Sequence, residues 1–363
     1  MNWSCRLAFA MLALTLAAVN AHAAGTLDDY LTFSGFGTLG AVYSDYGLAD
    51  FTGPLSVPNG AGHGRSWSLT PDSDLGAQAN ITMTDALTGV LQVLSRDDED
   101  GNYKPVVEWA NLKYDITSDL AVRVGREVLP TYERSETQNV GFSLPWVRVP
   151  AESTYTSTAT RSDGVSLLYR VKTGAITEDV QFQWGTATED LPGVAFNSNR
   201  AHVVILEDTL LYGSASLHLA YQSADSLGFP PARIALADVG FTYDPGAWFV
   251  TGDSNLSRDR YFGDFISGYV SGGVRLGRFA PYAFYATTHA QSVGTSGLKS
   301  LGDQDTLAAG VRWDFARNFD FKLQLQQAII ESLNDPAAFN NLQPGARVGD
   351  KANLLSLAVD VVF

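Results

Sequence analysis

Charged side chains occur in two settings of this sequence that suit electrostatic chemistry. One long segment without alternating polarity carries Glu133, Arg134, Glu136, Arg148 and Glu152. Single charges also occupy polar positions of alternating stretches, namely Arg96, Glu108, Lys113, Arg123, Arg126, Arg170, Arg275, Arg312 and Lys322. Opposite charges that face one another across water create a field that orients dipolar molecules and sorts ions by sign. The alternative hypothesis is that these charges pair locally and only keep the interior of the protein hydrated.

Side chains for covalent chemistry are few. The chain has one cysteine and five histidines, and Cys5 and His22 fall in a leader described below. The remaining histidines are His63, His202, His218 and His289. The sequence has no Gly-x-Ser-x-Gly elbow and no zinc-binding helix motif. We therefore expect no catalytic residue, no metal site and no cofactor.

The first 23 residues are typical of a cleaved secretory signal. Arg6 precedes an apolar stretch over 7–19, and Ala21-His22-Ala23 forms a small-x-small cleavage site. Its removal takes away one base and no acid, so 24 bases and 39 acids become 23 and 39, for a formal charge of −16. Such a negative chain disfavours nucleic acid as a partner, because phosphate binding needs a basic face. We expect residues 24–363 to form a single domain.

The segments that carry these charges alternate between apolar and polar residues with a period of two. Leu75, Ala77 and Ala79 alternate with Gln78 and Asn80, and similar stretches recur along the whole chain. Alternation of this kind predicts strands with one apolar and one polar face. Sixteen strands are predicted, at 30–43, 74–83, 88–96, 105–116, 119–127, 161–171, 177–187, 200–207, 212–222, 233–244, 247–255, 265–276, 279–288, 305–315, 319–330 and 352–363.

The connections between these strands indicate how they are arranged. Tight turns, such as those at 85–86, 245–246 and 317–318, alternate with longer loops, of which 128–160 is the longest. Short turns on one side, long loops on the other and an even strand count are the layout of an outer-membrane barrel. The sequence thus predicts an all-β, sixteen-stranded antiparallel transmembrane barrel with its apolar face toward lipid. Sixteen strands enclose too much space for side chains to fill, so the interior should hold water.

The residues that carry these features resemble the trimeric porins of Gram-negative outer membranes. The resemblance lies in the first strand, Phe33-Ser34-Gly35-Phe36-Gly37-Thr38-Leu39-Gly40, in the ending from Leu354 to Phe363, and in the long third loop. It implies a homotrimer in which this loop folds into the lumen and narrows the pore. The five charges of the loop, Glu133, Arg134, Glu136, Arg148 and Glu152, are then expected in the constriction, and the charges at polar strand positions on the pore wall. The resemblance further implies passive diffusion of ions and small hydrophilic solutes, contact with outer-membrane lipid and lipopolysaccharide, and assembly by the barrel-assembly machinery through the strand ending in Phe363. The Pro-Glu-Phe-Gly-Gly turn of the enterobacterial general porins is absent.

Three other functions remain open from the sequence. A substrate-specific outer-membrane channel would share every feature above. An outer-membrane enzyme could use the same scaffold, although a lipid hydrolase would need an outward-facing Ser and His supported by Asn or Asp. A secreted, soluble β-rich adhesin would instead bury the apolar face of each strand.

Overall fold

The computed structural model describes residues 30–53, 57–98, 100–155, 159–189, 199–226 and 233–363. The predicted signal at 1–23 lies outside the described residues. Sixteen long strands form one sheet, and each pairs antiparallel with its neighbours along the chain. They are β1 Leu31–Ser44, β2 Asp74–Thr84, β3 Leu87–Arg96, β4 Pro105–Asp115, β5 Leu120–Val128, β6 Arg161–Thr173, β7 Ile176–Glu189, β8 Asn199–Tyr212, β9 Ala215–Ser226, β10 Arg233–Tyr243, β11 Trp248–Asp259, β12 Gly263–Val274, β13 Phe279–Ala290, β14 Gln304–Ala316, β15 Phe319–Ile330 and β16 Asp350–Val362.

The sheet closes on itself through its first and last strands. β1 pairs antiparallel with β16 from Phe36↔Val362 to Ser44↔Leu354, and it pairs with β2 on its other side. Closure removes the unpaired backbone groups that an open sheet edge would expose to hydrocarbon. The predicted sixteen-stranded antiparallel barrel is therefore confirmed.

Two of the predicted connections differ clearly from those in the structure. β8 continues to Tyr212, and the chain turns at Gly213, whose φ of 59° suits the left-handed region, so 208–211 is not a connection. The acidic residue Glu207 does not end β8, because its side chain faces the polar interior. The predicted loop over 256–264 shortens to 260–262, because β11 and β12 remain paired as far as Asp259↔Gly263.

The barrel has a polar inner face and an apolar outer face. Lys322, Gln324 and Gln326 of β15 are buried, whereas Leu325 between them is 58% exposed. On β14 the exposed fraction of Leu307 reaches 64%. A soluble β protein buries its apolar face, so this inverted arrangement contradicts the soluble alternative and matches a barrel surrounded by lipid. Within the described residues, no helix is long and apolar enough to cross a membrane.

Two loops pack inside the barrel at the end that carries the long loops, here called the loop end. Loop 1 (residues 45–73) and loop 8 (residues 331–349) share a small three-stranded sheet formed by 50–51, 61–62 and 339–340. Phe51 and Phe339 contact edge to face at 5.5 Å and belong to a buried cluster with inward residues of β1, β15 and β16. The loop end is thus narrowed on the side of these three strands.

Candidate functional site

Loop 3 (residues 129–160) contacts the inner face of the barrel from several directions. It contains a short 3-10 turn, Gly141–Ser143, and one helical turn, α1, at Ala151–Thr154. The hydroxyl of Thr131 donates to Oε1 of Gln222 on β9 at 2.6 Å. The indole N–H of Trp146 donates to Oγ of Ser271 on β12 at 2.7 Å. These bonds fix the two halves of loop 3 against the polar wall.

Aromatic residues on the inner wall form an apolar surface against which the same loop packs. Trp146 is fully buried and contacts Tyr269 at 5.2 Å and Phe284 at 6.4 Å, both edge to face. Leu144 packs in the same cluster, which also includes Tyr282. The strand alternation correctly places these rings on the inner face, but nothing in the sequence shows that loop 3 would cover them.

The five charged residues predicted on loop 3 have different surroundings. Glu133 accepts hydrogen bonds from the hydroxyls of Ser216 at 2.8 Å and Thr242 at 3.1 Å. The guanidinium of Arg134 donates to the Thr242 hydroxyl at 3.3 Å. Both side chains are half-buried against β9 and β10, so they sit beside the wall and not across the lumen from it.

Arg148 forms a two-pronged ion pair with Asp72 of loop 1. Its Nε and Nη2 donate to the two carboxylate oxygens, each at 2.5 Å, and Nη2 also donates to the Ser356 hydroxyl at 2.7 Å. Its guanidinium lies 5.0 Å from the ring of Phe51. Such bidentate pairs hold their geometry strongly. Arg148 therefore joins loop 3 to loop 1.

Glu152 does not face open water, which corrects its predicted place in the constriction. The residue is 1% exposed, and its carboxylate accepts hydrogen bonds from the amide of Gln304, at 2.6 Å, and from the hydroxyl of Thr306. Burial raises the pKa of Glu152, and the hydrogen bond from Thr306 opposes that shift. Its role here is to anchor α1 to β14.

Glu136 is the predicted loop 3 acid that projects into open space. Its side chain is exposed, although the barrel wall surrounds it. Desolvation raises its pKa, while the positive charge of Arg123 lowers it and the negative charge of Glu207 raises it further. Glu136 thus faces both a basic and an acidic wall residue.

Two predicted wall cations are hydrogen-bonded to the backbone of loop 3. Lys322 is fully buried, and its ammonium donates to the Gly141 carbonyl at 2.6 Å and to Asp360 at 2.8 Å. Arg312 donates to the carbonyls of Phe142 at 2.6 Å and Leu144 at 3.0 Å. Lys322 thus occupies the predicted inward position but does not line the pore, because the 3-10 turn of loop 3 lies directly on it.

The other inward cations sit beside carboxylates or amides. Close ion pairs join Lys113 to Asp115 at 2.7 Å, Arg123 to Glu127 at 3.1 Å, Arg170 to Asp179 at 2.5 Å, and Arg275 to Asp244 at 2.6 Å. Glu108 accepts from Arg161 at 3.2 Å, and Arg96 donates to the side chain of Asn139 on loop 3 at 3.0 Å. Local pairing was the alternative hypothesis from the sequence. It thus neutralises much of the charge on the inner wall.

Arg126 lies on the other face of the wall. Its guanidinium pairs with Asp163 at 2.7 Å and 2.8 Å, and both residues share the outward parity of Val124 and Val165. Alternation in β5 is regular, with Ala121, Arg123 and Glu127 facing inward, so Arg126 falls at an outward position. It is not a pore-wall residue.

Two of the cavities inside the barrel meet at residues 136–139 of loop 3. The cavity at the loop end is about 200 Å³ and is lined by residues that include Arg96, Glu108, Asn139 and Arg148. The second, at the end with the short turns, is about 460 Å³ and is lined by residues that include Lys113, Arg123, Glu136, Glu207 and His218. The two cavities meet loop 3 along the same stretch, because Gln138 and Asn139 line the first and Glu136 and Thr137 line the second.

Sequence reasoning missed several acidic residues in this interior. Asp72, Glu127, Glu207, Asp238 and Asp253 are buried side chains that neighbour loop 3 or its anchors. The alternation places Glu127, Glu207, Asp238 and Asp253 at inward positions, so the signal was present. What could not be read from the sequence is which inward positions loop 3 covers.

Comparison with solved structures shows which fold this is. No protein-family model and no curated protein matches the chain. The anion-selective porin from Comamonas acidovorans is 12% identical over 92% of this chain and 99% of that chain, with a TM-score of 0.61. The outer membrane channel DcaP of Acinetobacter baumannii is 13% identical over 92% and 97%, also with a TM-score of 0.61. The in-vitro folded OmpT of Vibrio cholerae, described as a trimer form, is 13% identical over 92% and 100%, with a TM-score of 0.56.

This is a porin-like barrel. The predicted resemblance is confirmed for the fold, which covers nearly the whole described chain. The apolar outer face of the porin-like barrel also confirms the predicted outer-membrane location, because only a lipid phase accommodates such a surface on a closed sheet.

Proposed function

We propose that this porin-like barrel is an outer-membrane channel through which ions and small hydrophilic solutes diffuse passively. The observation that carries the proposal is the pair of cavities, about 200 and 460 Å³, on either side of residues 136–139 of loop 3, inside a closed barrel with a polar lining. Solutes of this kind need a continuous polar path across the hydrocarbon. The matched porin and DcaP channel structures, as named, support the same function.

Loop 3 forms the narrow part of this path in our proposal. Its anchors to β9, β12, β14 and β15 hold it against one side of the lumen, through contacts such as Trp146 with Ser271 and Lys322 with Gly141. The stretch 136–139 then faces the opposite side, where Arg96 of β3 and Arg123 of β5 lie. Solutes would pass between this stretch and strands β4 and β5, beside the hydrogen bond from Arg96 to Asn139.

The charges along this path favour cations. Three acids lining the larger cavity, Glu133, Glu136 and Glu207, have no Lys or Arg partner in the described part of the chain. The bases Lys113 and Arg170, in contrast, are neutralised by Asp115 and Asp179. A lumen with excess negative charge concentrates cations and repels anions.

Export and assembly complete the proposal. We expect cleavage of the signal at 1–23, insertion by the barrel-assembly machinery through the strand that ends at Phe363, and contact with lipopolysaccharide at the loop end.

A homotrimer follows from the porin resemblance, and the matched OmpT structure described as a trimer supports it. Light scattering of the purified protein in detergent measures the number of subunits. A monomer would contradict the trimer without affecting the channel proposal.

Planar-bilayer recording tests the function directly. Purified mature protein should produce stepwise increases in conductance, with a reversal potential in a salt gradient that shows a preference for cations. A general pore would pass many small sugars at similar rates in liposome swelling, whereas a substrate-specific channel would pass one solute much faster and show block of the current by it. Insertion without any ion conductance would overturn the proposal.

A further inference from the structure

Three residues that can bind a metal ion converge on the outer face of the barrel near the loop end. They are His289, Asp305 and Glu331, whose ligand atoms all lie within 4.8 Å of one another. In the described part of the chain, this is the one group of three or more His, Cys, Asp and Glu residues that comes so close together. Each of the three side chains is half-buried.

Strand parity places all three side chains on the outer face of the wall. Asp305 of β14 stands between Gln304 and Thr306, which are buried and face the interior. His289 and Glu331 each follow a fully buried residue that also faces the interior. Successive side chains of a strand point to opposite faces, so His289 and Glu331 point outward as Asp305 does. The group is therefore separate from loop 3 and from the proposed path for solutes.

The register of the sheet explains why these residues meet although they are distant in the sequence. Asp305 is paired with Thr287 of β13 and with Ile329 of β15. His289 and Glu331 lie two positions further toward the loop end, so they are diagonal neighbours of Asp305 on the same face. One ligand thus comes from β13, one from β14 and one from the first residue of loop 8. This spacing matches no metal-binding motif, which is why the sequence predicted no metal site.

The distances within the group suit the ligands of one ion. Nε2 of His289 is 3.4 Å from Oδ1 of Asp305, and Nδ1 is 3.8 Å from Oε2 of Glu331. Zinc ligands lie about 2.0–2.2 Å from the ion, so two ligand atoms of a tetrahedral site are about 3.4 Å apart. Because the three ligand atoms lie within 4.8 Å, movements of about 1.4 Å or less bring them to this spacing. A half-buried glutamate beyond the end of its strand can make such a movement by rotation of its side chain.

The two carboxylates of the group carry negative charge that no fixed cation balances. Among the residues that the structure describes, no Lys or Arg nitrogen lies within 4.0 Å of Asp305 or Glu331, and His289 is the one basic side chain that does. Two carboxylates beside one imidazole leave excess negative charge next to the hydrocarbon phase, where unpaired charge is costly. A proton on His289 would balance one of the two charges, whereas a divalent cation would balance both.

The donor atoms favour a transition metal over calcium or magnesium. Ca²⁺ and Mg²⁺ take about six or more ligands, and these are oxygen atoms. Imidazole nitrogen suits Zn²⁺, Cu²⁺ and Ni²⁺, and three protein ligands leave a position open to water on the exposed side. The hydroxyl of Tyr285 donates to Oδ1 of Asp305 at 2.8 Å, and a hydrogen bond of this kind orients a metal-binding carboxylate.

We propose that His289, Asp305 and Glu331 bind a divalent transition-metal ion such as Zn²⁺ on the outer face of the barrel. The bound ion would join β13 and β14 to the first residue of loop 8. Loop 8 shares a small sheet with loop 1 inside the loop end, so the ion would restrain the loops that narrow this end. The site does not depend on the channel function, because it faces away from the lumen.

Zinc binding to the purified mature barrel, prepared in detergent without a histidine tag, tests the proposal. Calorimetric titration at neutral pH should show one Zn²⁺ per chain. His289→Gln should abolish this binding, and Asp305→Asn and Glu331→Gln should each weaken it at least tenfold. Tyr285→Phe should weaken it by about tenfold, the lower end of the range for residues that orient a ligand. His202→Gln is the matched control, since His202 is exposed on β8 and belongs to no such group.

Unfolding provides a second measurement of the same site. Zn²⁺ should raise the urea midpoint of the wild type and of His202→Gln, because an ion that binds the folded state stabilises it, and should leave His289→Gln unchanged. If His289→Gln does not fold, Glu331→Gln provides the comparison, because residue 331 lies beyond the end of β15.

Three results would overturn the proposal. The first is a wild-type barrel that binds no Zn²⁺ in stoichiometric amount. The second is unchanged binding in His289→Gln, which would show adventitious binding elsewhere on the surface. The third is displacement of Zn²⁺ by an equal concentration of Mg²⁺, which would indicate a site made of oxygen ligands alone. A barrel that conducts ions but fails these tests would refute only the metal site, whereas a barrel that binds Zn²⁺ without conducting would refute only the channel.

Discussion

Lys322 on β15 donates a hydrogen bond to the backbone carbonyl of Gly141 on loop 3, with 2.6 Å between Nζ and the oxygen. The same ammonium contacts Asp360 at 2.8 Å and Asp320 at 3.5 Å, and all three side chains are fully buried. A buried ion pair costs desolvation energy that only good geometry recovers. Here it joins the wall to the 3-10 turn of loop 3, so the position of the loop depends on wall charge.

Removal of the buried ammonium should destabilise the barrel. Lys322→Met leaves Asp360 as a buried acid without its cation, whereas Asp320 keeps Arg312 at 3.2 Å, and we expect a cost of about 3–5 kcal/mol of unfolding free energy. Urea unfolding of the detergent-folded protein measures this loss. Lys172→Met, at an exposed position near a tight turn, is the matched control and should change stability little. Equal stability of the two variants would show that Lys322 is not an anchor.

A methyl group at Gly141 should displace loop 3. A Cβ there would lie 2.1 Å from Oδ1 of Asp360 and 2.5 Å from the Thr38 hydroxyl. In Gly141→Ala the 3-10 turn therefore cannot keep its observed position against the wall. We expect an altered single-channel conductance and more frequent closures. Gly47→Ala is the control, because a Cβ at that position meets nothing within 4 Å. If both variants conduct like the wild type, the 3-10 turn does not shape the path.

Neutralising the acids on the open side of loop 3 should weaken the cation preference. Glu133→Gln combined with Glu136→Gln removes two negative charges next to the larger cavity, so the reversal potential in a salt gradient should shift toward anions. Glu152→Gln also removes an acid from loop 3, but that acid is buried against Gln304 and Thr306 and should leave the reversal potential unchanged. No shift in the double variant would exclude Glu133 and Glu136 as filter residues.

The cation preference should also fall as the solution becomes acidic. Desolvation raises the pKa of Glu136, so this carboxylate takes up a proton at a higher pH than an ordinary glutamate does. Its negative charge is present above the raised pKa and is lost as the pH falls through it. Reversal potentials recorded at a series of pH values measure this effect. The upper part of the transition should disappear in Glu136→Gln, and its persistence would assign the effect to another group.

The outward parity of the apolar residues predicts which positions touch lipid. Single cysteines at Leu167 and Leu217, which are 44% and 39% exposed, should react with a probe confined to the hydrocarbon phase. A cysteine at Leu236, which is 1% exposed and points inward, should not react. Cys5 is the one cysteine of the sequence, so its replacement makes each label specific. Labelling of all three positions alike would contradict the inverted barrel.

The sequence alone determined the barrel because alternation and connection length are local properties. The pattern around Ala77 and Gln78 places side chains on two faces, and an even number of strands between short turns and long loops leaves few ways to close a sheet. One prediction for a single residue departs from this local rule. Arg126 lies three positions after the inward Arg123 in β5, so regular alternation gives it an outward position and its assignment to the pore wall is wrong.

The tertiary structure decided what each charge does, because a charge acts through neighbours that are remote in sequence. Glu133, Glu136 and Glu152 look alike along the chain, yet one is held by wall hydroxyls, one faces open space and one is buried on β14. Lys322 anchors loop 3 because the fold places it against Gly141, which is 181 positions away in the sequence. Strand parity specifies the direction of a side chain, whereas the path of loop 3 follows from many weak contacts formed together.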